Sequence, residues 1–332
     1  MDGRLRRRWG ERCFLSAAGG GSVFGWNVVG SAAMEDTNQC RRRMRQEGGG
    51  SLKGGSPQSR FARIARRGGL LAAVGLAAFC IGAQAADVEW IGGSGSWTSG
   101  ANWSLGHPPV TGDLARFSVA SGSYVVLVDT NPSLLGIVVS GSAAWTWTNA
   151  AATVTSGSFG FSYHNSSTGT WAVRLAGPGG LTVSNGLLVL SVSNAFSGVT
   201  SVGGGGTLRM ASSGALGATS NVMVGAGGML ELAAGVGAVS RPLMLSGYGV
   251  ASNGALRSSS GTNAWNGNVT LSADAGIGVA AGTLTVGGAI SGPGQLTKLG
   301  AGQLTLNAAN TFSGGMALAG GTVAINGENR LG

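Results

Sequence analysis

Downstream of residue 85 few side chains could move a proton or attack a bond. They are His107 and His164, four aspartates (Asp87, Asp113, Asp129, Asp274) and three glutamates (Glu89, Glu231, Glu328), with no cysteine. His107, Asp113 and one of the many serines could be written as a hydrolytic triad. "SLGHPPVTGDL", however, is a Gly/Pro-rich stretch without the nucleophile-elbow motif that would present a serine on a sharp strand-to-helix turn. His164, in "SYHNSSTG", reads as a surface turn residue. Cleaving a polysaccharide needs acids and bases converging on one flank, and these seven acids are spread along the whole length. The glycines at 203–206 precede threonine, not the aspartate of a calcium-binding repeat, and lack the lysine and helix of a phosphate loop. The sequence therefore predicts no enzyme: no catalytic residue, no cofactor and no metal.

Trp90, Trp97 and Trp103, at intervals of seven and six, are the other residues with binding chemistry. Exposed, Trp97 and Trp103 could stack on sugar rings. Packed inward, the three indoles would close an open structural edge that otherwise offers unpaired backbone groups to other chains; this is the stronger expectation.

The charge balance points away from nucleic acid. The 332 residues carry a net charge of +9 with pI near 10.7, but 14 of the 21 Lys and Arg and 5 of the 12 acids precede residue 68. The remainder is neutral. Residues 1–59 are Arg-, Gly- and Ser-rich without hydrophobic period, so no packed structure is expected there. Met34 and Met44 offer later starts. Residues 60–85 read as a signal peptide: Arg60, Arg63, Arg66 and Arg67, an apolar run from Leu70 to Ile81, then the small-x-small site Ala83-Gln84-Ala85. Cleavage would leave Ala86 first. The apolar run is shorter than the roughly 20 residues of a spanning helix, so export is favoured over a retained anchor; twin-arginine export through Arg66-Arg67 and lipidation at Cys80 are weaker variants. Cys13, Cys40 and Cys80 all precede the cleavage point, so the exported part has no disulfide and no cysteine metal site.

What must hold such a chain together is repetition. Gly177-Pro178-Gly179 returns as Gly292-Pro293-Gly294 and Leu181-Thr182 as Leu296-Thr297, at an offset of 115. The stretches 186–190 and Asn194-Ala-Phe196 return at 302–306 and Asn310-Thr-Phe312, at 116. Within this duplication, Gly-x-apolar-x-apolar starts at Gly186, Gly206, Gly228, Gly282, Gly302 and Gly321, with a partial copy at Gly254, at gaps of 19–28 residues. Alternation of apolar with charged or polar residues marks half-buried strands. Leu188, Leu190, Leu208, Leu230, Leu232, Leu284, Leu304 and Leu306 are the expected core, lined up coil on coil. Low charge suits stacking, because an identical charged position in every coil would build a like-charge ladder. The expected fold is all-β, a right-handed parallel β-helix of on the order of ten coils; the alternative is an antiparallel β-sandwich.

"SGPGQLTKLGAGQLTLNAANTFSGGMALAGGTVAI" resembles the autotransporter-associated β-strand repeat of bacterial passenger domains. Lys298, Leu306, Asn310 and Phe312 carry the match; the copy with Asn194 and Phe196 is weaker, having Val183 in place of the lysine and Val199 in place of the second glycine. Similarity covers about residues 150–332. The resemblance implies an exported β-helix, displayed at the bacterial cell surface or outer membrane or released, with scaffold repeats and no activity of their own. The domain plan is a leader (1–59), a signal peptide (60–85), a Trp-containing cap with first coils (86–149) and a repeat solenoid (150–332) expected to run on past Gly332. The expected role is a structural passenger stalk, with adhesion as a further role open to it. The alternative is a scaffold for a carbohydrate-binding or enzymatic domain, at the Trp-rich segment or outside this chain. Expected partners are the export machinery and cell-surface or matrix glycans or proteins, not nucleic acid.

Overall fold

The computed structural model describes residues 85–332. The leader, the body of the signal-like segment with Ala83, and all three cysteines lie outside the described residues. From Asp87 onward, short strands alternate with glycine turns, and the described helices are two 3-10 turns, Gly100–Asn102 and Val250–Ser252. Every ladder among the described strands is parallel. An isolated antiparallel bridge joins Trp90 to Trp103. A sandwich is therefore excluded: strands pair with those of the preceding and following turns, giving a parallel β-solenoid of about ten turns.

Three strands make up a coil. The first face stacks Val88, Ala115, Ile137, Phe161, Leu181, Thr200, Val222, Leu243, Val269 and Ile290 in one inward column. All ten are at most 2 % exposed. On the second face Leu188, Leu208, Leu230, Leu256, Ile277 and Lys298 form the equivalent column. A period of two puts these side chains inside and their neighbours outside. Each fully buried leucine contributes about 1.5–3 kcal/mol of transfer free energy, which the described residues, having no cysteine, need. The third strand of the later coils forms its own ladder: Gly237–Val239, Thr262–Trp265, Thr283–Val286, Gln303–Leu306 and Thr322–Ile325.

One expectation is corrected here. The two repeat copies do not stack in register on the same faces. Leu187–Leu190 lies on the second face, but its counterpart Gln303–Leu306 lies on the third. Leu181–Val183 lies on the first face, and its counterpart Leu296–Leu299 on the second. Leu284, Leu304 and Leu306 are buried like Leu188, Leu190, Leu208, Leu230 and Leu232, yet in another ladder. The cause is a mismatch of periods. Five stacked turns carry the first face from Leu181 to Ile290, 109 residues on. The repeat returns after 115, so the second copy arrives about one strand further round the coil. One turn is long: Leu243 stacks on Val269, 26 residues later, because a loop at 248–255 is inserted after Leu243–Gly247, and this lengthens the turn sum and the repeat offset alike.

Candidate functional site

The Trp-containing first coils are built around Phe117, at the end of the strand Leu114–Phe117. Trp90, Trp97 and Trp103 surround this ring at centroid distances of 5.9, 6.1 and 5.8 Å, and Trp103 meets Trp90 and Trp97 edge-on at 5.0 and 4.9 Å. The Trp103 indole N–H donates to the Trp97 carbonyl at 2.7 Å, and that of Trp90 to the Gly93 carbonyl at 3.0 Å. Aromatic packing continues inward through Trp145, Trp147 and Trp171. Glycan contact through Trp97 and Trp103 is thereby corrected: they are 0 % and 1 % exposed, and stacking on sugar needs an open ring face.

The triad fragment is not assembled either. His107 is exposed, with Nδ1 2.9 Å from the Pro108 carbonyl. Asp113 is 6 % exposed and spends both oxygens on backbone: Oδ1 accepts from the Ala86 N–H and Oδ2 from the Val110 N–H, each at 3.0 Å. His164 is exposed and sits between the hydroxyls of Ser162 and, on the next coil, Ser184. Asp129 is pushed upward by partial desolvation, but hydrogen bonds from Ser96 and Thr98 outweigh this and hold its carboxyl below the usual value. Asp87 pairs with Arg116 at 2.9 Å. Among the described residues no three His, Cys, Asp or Glu side chains come together to hold a metal ion. An open groove of about 460 Å3, bordered by Ser166, Thr168, Leu187, Thr207 and Val250, has no ionisable side chain in its lining.

Glu231 lies between Leu230 and Leu232, where alternation predicts an outward position. The structure stacks it between Arg209 and Arg257 of the coils on either side, at 2.8 and 3.1 Å, leaving it 2 % exposed. Opposite charges alternate up the column, so the like-charge ladder that low charge was expected to avoid is averted here by pairing.

The motif residues act between coils. Asn194 Oδ1 accepts from the Leu175 N–H one turn back at 2.8 Å, and its Nδ2 donates to the Ala215 carbonyl one turn on at 2.6 Å. Asn310 repeats this with the Ile290 N–H at 2.8 Å and the Arg330 carbonyl at 2.5 Å. Phe196 stacks over Gly177 and Phe312 over Gly292. Both glycines have positive φ (104° and 110°), and a Cβ would approach the Ser156 and Leu271 carbonyl oxygens to 2.0 and 2.2 Å. Asparagine, phenylalanine and glycine thus form a clasp across three turns. Lys298 is fully buried in the leucine column; burial lowers its pKa from 10.5, while Nζ donates to the carbonyls of Leu299, Gly300 and Gly320 at 2.8, 2.8 and 3.1 Å.

Among the described residues, no helix is long and apolar enough to cross a membrane. No curated protein and no solved structure matches the chain. The passenger-associated-transport-repeat family model matches residues 185–210 and 296–325, the segments that contain Asn194 with Phe196 and Lys298 with Asn310 and Phe312. Two such repeats set in a parallel β-solenoid of about ten turns are consistent with an autotransporter passenger repeat protein.

Proposed function

We propose that residues 86–332 are an exported structural segment, a stiff passenger stalk held outside a bacterial cell, with no catalysis of its own. The observation that carries this reading is the clasp: the residues matched by the passenger repeat spend their polar groups joining one turn to the next. A side chain committed to its own scaffold in this way does mechanical work. The outward faces, rich in Thr and Ser, are where contacts with cell-surface or matrix glycans or proteins would form. In this reading residues 60–85 direct export and are removed after Ala85.

Protease treatment of intact cells producing the full chain tests the proposal. Loss of the chain from intact cells, with an intracellular marker spared, is the expected result. Complete protection on intact cells together with an uncleaved leader would overturn it.

A further inference from the structure

The first described strand starts beside a buried carboxylate. Ala86 is partly buried against the core, while Ala85 before it is exposed. The Ala86 carbonyl accepts from the Leu114 N–H at 2.9 Å, which starts the first parallel ladder. Its N–H points to Asp113 Oδ1 at 3.0 Å. Asp113 is only 6 % exposed, and among the described residues no Lys, Arg or His side chain pairs with it. The nearby cation Arg116 is engaged by Asp87. A carboxylate this buried is costly unless a positive charge compensates it. Here it faces two amide donors and no cation.

We propose that Asp113 is the receptor for the chain's own processed N-terminus, a reading that rests on export with cleavage after Ala85. Hydrolysis of the Ala85–Ala86 amide consumes one water: Ala85 leaves as a carboxylate, and the Ala86 nitrogen takes up a proton to become an α-ammonium. That nitrogen already lies on Asp113, so cleavage turns a neutral hydrogen bond into a charge-assisted one without moving the strand. Leader removal then locks the first coil as well as releasing the chain. The charged group on the new amine is Asp113; Asp87, next in the chain, is paired with Arg116.

The test starts from the full-length precursor made in an exporting bacterial host. N-terminal sequencing of the exported product should place Ala86 first; another terminus overturns the inference while leaving the passenger reading intact, and absence of export counts against that reading itself. The processed protein and its Asp113→Asn variant are then each compared before and after acetylation of the α-amine. Acetylation keeps one N–H donor, puts an acyl group where the leader's carbonyl stood and removes the charge. It should lower the wild-type unfolding midpoint by about 2–4 °C and leave the variant's unchanged; equal shifts in both overturn the inference. Should Asp113→Asn fail to fold, titration of the wild-type α-amine decides: a midpoint above the ordinary range of about 7.7–8.0 supports the pair, and one at or below it overturns it. A raised folded-state value means stabilisation that is complete below the unfolded value and lost as pH rises through the folded one.

Discussion

The two copies of the repeat, 177–217 and 292–332, share a sequence and do not share a place. Strand for strand, the second copy sits one face further round the coil. Yet the clasp is reproduced: asparagine reaches 19 and 20 residues back to the same backbone group, and phenylalanine covers the same positive-φ glycine. The motif therefore encodes a relation between neighbouring turns and not an address on the solenoid. Every face asks for the same thing, an apolar-in, polar-out strand followed by a turn, so any face can supply it.

The comparison breaks most readily at the leucines. Leu188→Asp and Leu304→Asp each place a charge at a position 0 % exposed, and each should cost more than about 4 kcal/mol in urea unfolding. If Leu304→Asp is tolerated while Leu188→Asp is not, the faces are not equivalent. The clasp is the next test. Asn194→Ala and Asn310→Ala each strip partners from an N–H and a carbonyl, and each unsatisfied group costs about 1–3 kcal/mol. Equal losses in the two variants support a turn-to-turn role; a loss at one copy alone ties the role to a face.

The smallest effect lies where the copies differ in kind. Val183 and Lys298 are counterparts, and both point inward. Lys298→Met should stay within about 1 kcal/mol of the wild type at pH 7, since replacing a buried charge by a hydrophobe of similar volume is often near neutral. Burial puts the folded-state pKa of Lys298 below 10.5. As pH approaches 10.5 the unfolded chain holds more protons than the folded one, so the wild type gains stability with pH where the variant does not. Denaturant midpoints for both proteins between pH 7 and 10.5 check this; parallel curves would show that the three carbonyls hold the proton against desolvation.

The solenoid was legible because glycine before an apolar-x-apolar pair is a local signal, and local signals survive wherever the strand lands. Which face it lands on was not legible: that depends on the summed lengths of the intervening turns, including the loop at 248–255, whose conformation alternation does not describe. The three tryptophans announced themselves by spacing, but burial follows from Phe117, fourteen residues after Trp103, filling the space between them. Asp113 looked like a catalytic fragment because a one-letter code cannot show that both of its oxygens are taken by main-chain N–H groups. Glu231 could have been read from Arg209 and Arg257, 22 and 26 residues away, had the stacking distance been known.

The mismatch between the 115-residue repeat and the turn has a consequence for how such a chain can change. If copies had to land in phase, only insertions of whole turns would leave a foldable product, and most unequal recombination between repeats would be lost. Because a displaced copy is accepted on the next face, crossovers at many offsets remain productive. Solenoid length is then free to drift among descendants in small increments, with the tryptophan-packed first coils unaltered.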